Sequence, residues 1–283
     1  MIEHDRRQGI GASEAAAILG WSKFQTSLEV YQHKTAEEPQ GFHDALDNSP
    51  MYWGHRLERI ILEEYAKREG AATMDHQKRF EAGLFWATVD AIAVPVGGEE
   101  FAAVVNAKTS RSDAGWGDVE SGEVPLYYLA QAVIEMYCTK MQEWHCPVLF
   151  AGSRLEIYKV KRDQNLEQTM LKELEAWWQR HVVARVPPDP ITAKDLTIAY
   201  PQNMGTIVKA TIDEIEQINK LKALRAEIAV LEAQEEAFQI ALKKKIGEAD
   251  GLIYEGNVLA TWKMQTRKAY TVPDKSYRVF RLK

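Results

Sequence analysis

Cysteine is scarce in this sequence, which holds only Cys138 and Cys146 among its 283 residues. Two thiols supply neither a disulfide framework nor the four ligands of a structural zinc or iron–sulfur site. The chain also has no apolar run approaching the roughly 20 residues that a membrane-spanning helix needs. Its first residues carry no apolar segment of the kind found in secretory signals. These absences predict a cytoplasmic protein.

Positive charge is also in short supply, because 35 lysines and arginines stand against 41 aspartates and glutamates, for a net charge of −6. Proteins that coat nucleic acid are usually basic, so this class is disfavoured. An enzyme that binds DNA through a local basic channel, and keeps acidic groups for a metal ion, is compatible with this balance. Composition therefore leaves the function open.

The order of helical and strand-like segments predicts an α/β core, a mixed sheet flanked by helices, over residues 1–200. Apolar residues at helical spacing indicate a helix from Pro50 to Glu69 that Gly70 closes, and Pro125 is typical of the start of another, ending near Thr139. The remaining segments are strands around Phe80 and at Leu84–Val94, Phe101–Lys108, 147–150 and 155–161, and a helix at 164–183.

The C-terminal part, residues 201–283, reads as a long helix followed by short strands. Four prolines between residues 187 and 201 mark the boundary. Beyond it, apolar residues repeat at alternating three- and four-residue steps, which predicts a helix from Ile212 to Ile246 with a heptad seam interrupted at Glu235. The pattern favours a helix packing on its own core over an intermolecular coiled coil. Segments Leu252–Trp262 and Tyr277–Leu282 alternate like strands.

Asp90 stands inside the apolar strand FWATVDAIAV, where a carboxylate is costly to bury unless it is paired or holds a cation. The next strand ends with Asn106 and Lys108, which share one face because they are two residues apart. An aligned hairpin brings the three together in the geometry of a D…(D/E)-x-K nuclease site, whose acidic oxygens hold Mg²⁺. Taken alone, the pattern favours an edge aspartate beside two solvated polar residues.

Four further residues have two interpretations each. Glu58 lies near the apolar face of the Pro50 helix, so it is either a contributor to the metal site or a boundary glutamate. Arg6, Ser13 and Gln131 are ordinary surface groups in isolation, and Ser13 is a candidate cap of a short helix. An arginine near a helix N-terminus is equally suited to clamp a phosphate.

The ordered motifs resemble the YqaJ-like viral recombinase family, which includes the lambda exonuclease. Residues 6–20, RRQGIGASEAAAILG, resemble the family's opening motif, and residues 54–58, GHRLE, resemble its helix motif. The family's D…E-x-K-T motif falls at residues 89–91, VDA, and 106–109, NAKT. The helix that follows it in the family resembles residues 124–131, VPLYYLAQ. The resemblance covers roughly residues 1–160 by ordered motifs, which is far more specific than any one motif.

This resemblance implies a PD-(D/E)xK fold and an exonuclease that digests linear double-stranded DNA from its ends, 5′ to 3′, to give single strands for phage-type recombination. It implies Mg²⁺ as the cofactor, with Mn²⁺ able to substitute, a homo-oligomeric ring such as a trimer, and a single-strand annealing protein as partner in a bacterial host or phage-infected cell. The implied roles are catalysis and metal binding at Asp90, Asn106 and Glu58, metal binding by the carbonyl of Ala107, and catalysis by Lys108. Contact with the DNA end is implied for Arg6, Ser13 and Gln131.

The sequence departs from the family at Asn106, where a glutamate is expected. An amide is a neutral and weaker ligand for a hard cation. The chain is then a nuclease inactivated by a deliberate substitution, a variant whose carboxylate has migrated, with Glu135 as the first candidate, or a DNA-binding relative that does not cut. The intact surrounding motifs favour the first of these. We expect an Asn106→Glu protein to degrade linear duplex DNA with Mg²⁺.

Two alternatives of another class stay open. One is a catalytically silent DNA-end-binding module, whose affinity falls with salt and which never cuts. The other is an assembly protein whose long C-terminal helix is the functional part. A plain restriction endonuclease shares the core chemistry and differs in not requiring a DNA end.

Overall fold

The computed structural model describes residues 5–37, 49–97, 103–266 and 278–282, and the chain divides into two compact units, Met1–Leu196 and Thr197–Lys283. The mixed α/β architecture expected from the sequence is confirmed. Within the described ranges, no helix is both long enough and apolar enough to cross a membrane.

The first unit is built from helices and strands that alternate along the chain. Its α-helices are α1 (Ala12–Ile18), α2 (Ser27–Thr35), α3 (Pro50–Glu69), α4 (Leu126–Thr139), α5 (Gln164–Trp177) and α6 (Ala193–Ala199). A 3₁₀ turn lies at Val119–Ser121, and a π-helical segment, Trp178–Val183, extends α5. Helix α3 has the predicted bounds, and Gly70 ends it in the left-handed conformation at φ 60°.

Two sheets share the core of the first unit. The smaller has the order β1 (Ile10–Gly11), β4 (Phe85–Val89), β3 (Lys78–Ala82), with β1 parallel to β4. The larger runs β2 (Ala71–Met74), β5 (Ala91–Pro95), β6 (Ala103–Val105), β8 (Glu143–Phe150), with β9 (Arg154–Lys161) antiparallel to β8. Strands β6 and β7 (Lys108–Ser110) both pair with the same edge of β8, and both are parallel to it.

The strand predicted at Leu84–Val94 is wrong as one element. The chain leaves the small sheet after Val89 and joins the large sheet at Ala91, so Asp90 is the single residue between β4 and β5. A polar residue is tolerated there because the strand ladders are interrupted and its carboxylate finds partners outside them. Strand β2 has no counterpart among the predicted elements.

The predicted strand Phe101–Lys108 is also interrupted, at Asn106 and Ala107, and Phe101 lies outside the described residues. Strands β6 and β7 pair with β8 through Val105↔His145 and Lys108↔Val148, so the register continues across the gap. Pro147 lies in that stretch of β8 and has no N–H to donate. The backbone N–H of Asn106 still donates to the His145 carbonyl on β8, whereas the N–H of Ala107 donates to Asp90.

The second unit contains α7 (Ile212–Ile246) and the antiparallel hairpin β10 (Gly251–Tyr254) and β11 (Asn257–Thr261). The long helix has the predicted bounds, and its first turn is closed by a capping box between Thr211 and Glu214. The strand predicted at Tyr277–Leu282 is wrong for residues 278–282, which adopt no regular structure, and Tyr277 lies outside the described residues.

Candidate functional site

Asp90 accepts hydrogen bonds from two sides at the break between β4 and β5. Its Oδ2 accepts from the backbone N–H of Ala107 at 2.8 Å, across the aligned strands. Its Oδ1 accepts from the side-chain amide of Gln77 at 3.3 Å. Gln77 has a left-handed backbone, with φ 53°, a costly conformation for a residue other than glycine. The turn before β3 is therefore held in a strained form that directs Gln77 to the acid.

Glu58, on α3, meets Asp90 at the same amide. The Nε2 of Gln77 donates to Glu58 Oε1 at 2.7 Å, so two carboxylates converge on one neutral donor. Burial raises the pKa of Glu58, and the negative charge of Asp90 raises it further. Such a pair of acids favours a cation, because a positive charge between them relieves both effects.

Asn106 and Lys108 lie beside this pair and are joined by a hydrogen bond. The ammonium of Lys108 donates to Oδ1 of Asn106, and it also lies 5.4 Å from the centre of the Tyr128 ring. The amide of Asn106 is only 1% exposed. Its Nδ2 donates to Oε1 of Glu135 at 2.8 Å, and this bond turns Oδ1 toward Lys108.

Glu135, on α4, is a fully buried carboxylate held by three nitrogen donors. Besides Asn106, the side chains of Gln131 and Trp144 donate to it at 2.7 and 2.6 Å. Burial raises the pKa of Glu135 to about 7, although the charge of Lys108 and the bonds from Trp144 and Gln131 oppose that rise. An acidic group with every oxygen satisfied thus lies one hydrogen bond behind Asn106.

Arg6 and Ser13 come together at the start of α1. The guanidinium of Arg6 donates to Ser13 Oγ at 3.5 Å, lies 3.7 Å from Glu14 Oε1, and stacks 5.0 Å from the centre of the Trp86 ring. Ser13 is exposed, and it does not cap the helix as predicted. Glu14 takes that role, because its Oε2 accepts from the N–H of Gly11, the N-cap residue, at 2.7 Å.

The predicted residues therefore fall into two groups. The first consists of Glu58, Asp90, Asn106, Ala107, Lys108 and Gln131. The second consists of Arg6 and Ser13. Gln77 and Trp144 complete the first group, and no motif in the sequence indicates either, because their contribution depends on a strained turn and on the approach of β8 to α4.

The donor set fits a hard divalent cation in part. Glu58 and Asp90 offer carboxylate oxygens, and Asn106 offers an amide oxygen, which are the ligand types that Mg²⁺ and Ca²⁺ take. Within the described part of the chain, however, no three histidine, cysteine, aspartate or glutamate side chains gather closely enough to hold a metal ion.

The fold is shared with nucleases of known structure. The crystal structure of an alkaline exonuclease, LHK-Exo, from Laribacter hongkongensis has a TM-score of 0.51 and 16% identity, covering 64% of this chain and 90% of that one. The LHK-Exo complex with dAMP gives a TM-score of 0.50 at the same identity and coverage. The mixed sheet flanked by helices is thus the fold that this chain shares with LHK-Exo.

One sequence relative matches most of the chain, and a family model matches its N-terminal part. The uncharacterized protein YqaJ of Bacillus subtilis (strain 168) is 26% identical over 270 residues, which cover 92% of this chain and 81% of that protein. The family model of the YqaJ-like viral recombinase domain matches residues 3–142, a range that contains both groups of candidate residues. Residues 3–142 therefore belong to the YqaJ-like viral recombinase family.

Proposed function

We propose that this chain is a divalent-metal-dependent nuclease that degrades linear double-stranded DNA from its ends. The observation that carries the proposal is the convergence of Glu58 and Asp90 on a single amide, with Lys108 close enough for its charge to act on Glu58. Membership of a viral recombinase family and a fold shared with an alkaline exonuclease support the same function.

The residues of the site have different roles in phosphodiester hydrolysis. Glu58, Asp90, Asn106 and the carbonyl of Ala107 would hold the cation, which when bound activates water and offsets the phosphate charge. In the reaction, a water oxygen forms a bond to phosphorus, the bond from phosphorus to the leaving oxygen breaks, and that oxygen takes up a proton. Lys108 orients the water or neutralises the phosphate with its ammonium group.

Glu135 compensates for the missing glutamate at position 106. By accepting from Nδ2 of Asn106, it fixes the amide so that its oxygen, the better metal ligand, faces the site. With its pKa raised to about 7, this group also carries part of a negative charge directly behind that amide at neutral pH. We therefore favour a migrated carboxylate over an inactivated site as the explanation of Asn106.

The finer details follow the family resemblance. We propose Mg²⁺ as the metal, with Mn²⁺ as a substitute, 5′-to-3′ digestion, a ring-shaped homo-oligomer, and a single-strand annealing protein as partner for the product. Arg6 and Ser13 would contact the phosphate at the DNA end, since a guanidinium beside a hydroxyl suits phosphate oxygens. Gln131, which donates to Glu135, would contribute by holding that carboxylate in place.

The test is digestion of end-labelled linear duplex DNA in Mg²⁺ or Mn²⁺, with a covalently closed circle as control. Four chains are compared: the natural sequence, Asn106→Glu, Glu135→Gln, and the double variant Asn106→Glu with Glu135→Gln. We expect the natural chain to cut only the linear DNA and Glu135→Gln to lose at least about tenfold in rate, a typical effect of removing a group that supports a metal ligand. The double variant should recover activity, because it returns the charge to position 106.

Other outcomes have distinct meanings. Activity confined to chains with Glu at position 106 would mean that Asn106 disables the metal site and that Glu135 does not compensate. Cleavage of the closed circle at the rate of the linear DNA would identify an endonuclease. Salt-dependent binding to DNA ends, without cutting by any of the four chains, would leave a silent DNA-end-binding protein.

A further inference from the structure

Helix α7 carries a stripe of large apolar side chains that are exposed. Leu224, Ile228, Leu231, Phe238 and Leu242 are 52, 44, 63, 72 and 49% exposed. With Leu221 they occupy the seam positions of a heptad repeat, the pattern that packs one helix against another. An apolar stripe of this length marks an interaction surface rather than a solvated face.

As a contact separate from those that close the proposed ring, we propose that α7 pairs with α7 of a second copy of this chain, in antiparallel orientation, about a two-fold axis beside Ala226. Around this axis, Leu221 lies opposite Leu231 of the partner subunit, and Leu224 lies opposite Ile228 of the partner subunit. The two-fold symmetry repeats both contacts, which gives four consecutive apolar layers. The segment from Leu221 to Leu231 is thus self-complementary, while Phe238 and Leu242 lie outside the paired layers.

The charges that flank the seam decide the orientation. Lys220 and Glu227 flank it on one side, and Arg225 and Glu232 on the other. In the antiparallel pair, Lys220 faces Glu227 of the partner subunit, and Arg225 faces Glu232 of the partner subunit. Symmetry doubles these to four attractive pairs across the interface.

A parallel, in-register pair would place like charges beside the seam instead of opposite ones. It would set Lys220 against Arg225 of the partner subunit and Glu227 against Glu232 of the partner subunit, which are like charges. It would also stack Glu235 against its own copy inside the seam. In the antiparallel pair, Glu235 lies beyond the four apolar layers and faces Gln217 of the partner subunit. Its charge is therefore not buried among apolar side chains.

Spin labels on the full chain measure the orientation directly. Cys138 and Cys146 are buried, so cysteines introduced at Lys222→Cys or Lys244→Cys are the labelling sites. With a rise of 1.5 Å per residue, antiparallel pairing separates the two copies of position 222 by about 12 Å along the axis, and those of position 244 by about 54 Å. Parallel pairing gives a short distance at both positions, which would overturn the proposed orientation.

A seam variant is the control for other contacts in the assembly. Leu224→Glu places a charge in the apolar layers and should abolish both distances, whereas distances that survive it arise from another interface and contradict the proposal. A natural chain that shows no dipolar distance and the mass of a monomer at about 100 µM would also overturn it, and would favour α7 packing within its own chain.

Charge exchange tests the same pairing by affinity. Glu227→Lys turns two attractive pairs into two repulsive ones, so the dissociation constant of the α7 contact should rise about tenfold. Adding Lys220→Glu restores opposite charges and should return the constant to near the natural value. If Glu227→Lys tightens association, the helices are parallel and the proposal is wrong.

Discussion

The chemistry of the candidate site depends on how each residue is held. Lys108 places its ammonium against the amide oxygen of Asn106 and near the face of Tyr128. Both contacts stabilise a positive charge, and neither partner is a carboxylate that would offset it. The lysine therefore keeps its charge available for the water or the phosphate.

Lys108→Met removes this charge while keeping most of the apolar length of the side chain. We expect the rate of DNA cleavage to fall by a factor of about 100 or more, as is typical when a group that assists proton transfer or stabilises charge is lost. Single-turnover digestion at saturating metal measures the effect. Lys108→Arg is the matched control, and a Met variant that cuts at the natural rate would remove Lys108 from the mechanism.

The two glycines of the GIG segment are explained by close contacts, with the Trp86 ring at Gly11 and with the Leu84 backbone at Gly9. A Cβ on Gly11 would lie 2.7 Å from Cζ2 of the Trp86 ring, and a Cβ on Gly9 would lie 2.4 Å from the carbonyl oxygen of Leu84. The ring thus lies directly against the backbone of β1. Neither residue can carry a side chain without moving this strand or the ring.

Gly11→Ala should accordingly lower the free energy of unfolding by about 1–3 kcal/mol, the usual effect of overpacking a close contact. Denaturant unfolding in the natural and Trp86→Leu backgrounds measures it. The loss should shrink in the Trp86→Leu background, because the smaller side chain leaves room for the added methyl group. An equal loss in both backgrounds would place its cause elsewhere.

Residue-level prediction from the sequence was possible where the type of a residue is unusual for its surroundings. A carboxylate in an apolar strand indicates Asp90 without any structure, and the departure at Asn106 directs attention to Glu135. Gln77 could not be identified in this way, because a glutamine in a polar turn is ordinary. Its contribution comes from a left-handed backbone and from α3 lying close to that turn.

At the scale of elements, α3 is attached to the large sheet through a buried pair. The Tyr65 hydroxyl lies 2.6 Å from Nδ1 of His145 on β8, and Nε2 of the same ring lies 3.0 Å from Glu143. Burial lowers the pKa of His145 below its ordinary 6.5, although Glu143 opposes that shift. The folded protein therefore holds this ring neutral at pH 7. Because α3 also carries Glu58, this pair helps to position the site.

The lowered pKa makes stability depend on pH. As the pH falls below 6.5, the unfolded chain takes up a proton at His145 before the folded one does, so this contribution to stability, complete at higher pH, is progressively lost. The loss has an upper limit of about 1.4 kcal/mol per pH unit. Unfolding between pH 7.5 and 5 should show a shallower fall for His145→Gln than for the natural chain. Parallel curves would show that His145 does not contribute.

Element boundaries were predictable where the signals are local. The bounds of α3 follow from Pro50 and Gly70, and those of α7 from its heptads, because caps and periodicity act within a few residues. The break between β4 and β5 was not predictable, since it arises when one apolar run passes from one sheet to another. Periodicity cannot distinguish a strand that continues from one that changes partner.

On the scale of the whole molecule, the proposed cleavage of DNA and the proposed self-association are functions of different units. Every candidate residue for cleavage lies in the first unit, and the proposed α7 contact lies in the second. Helix α6 ends three residues into the second unit, and it contains Asp195, which is buried. The carboxylate of Asp195 accepts from the Thr26 hydroxyl at 2.7 Å and from the N–H groups of Ile191 and Thr192 at 3.0 Å, so it joins the start of α6 to the N-cap of α2.

A chain that ends at Tyr200 should therefore fold and cut linear DNA with a rate within about threefold of the full chain, while losing the spin-label distances expected for α7. A chain that ends at Pro190 is the matched control, because it lacks Asp195 and leaves Thr26 without its partner, at an expected further loss of about 1–3 kcal/mol of stability. Thermal unfolding and end-labelled digestion of both chains make the comparison. If the chain ending at Tyr200 folds but cannot cut, the second unit is required for catalysis, and the cleavage site is incomplete without residues beyond α6.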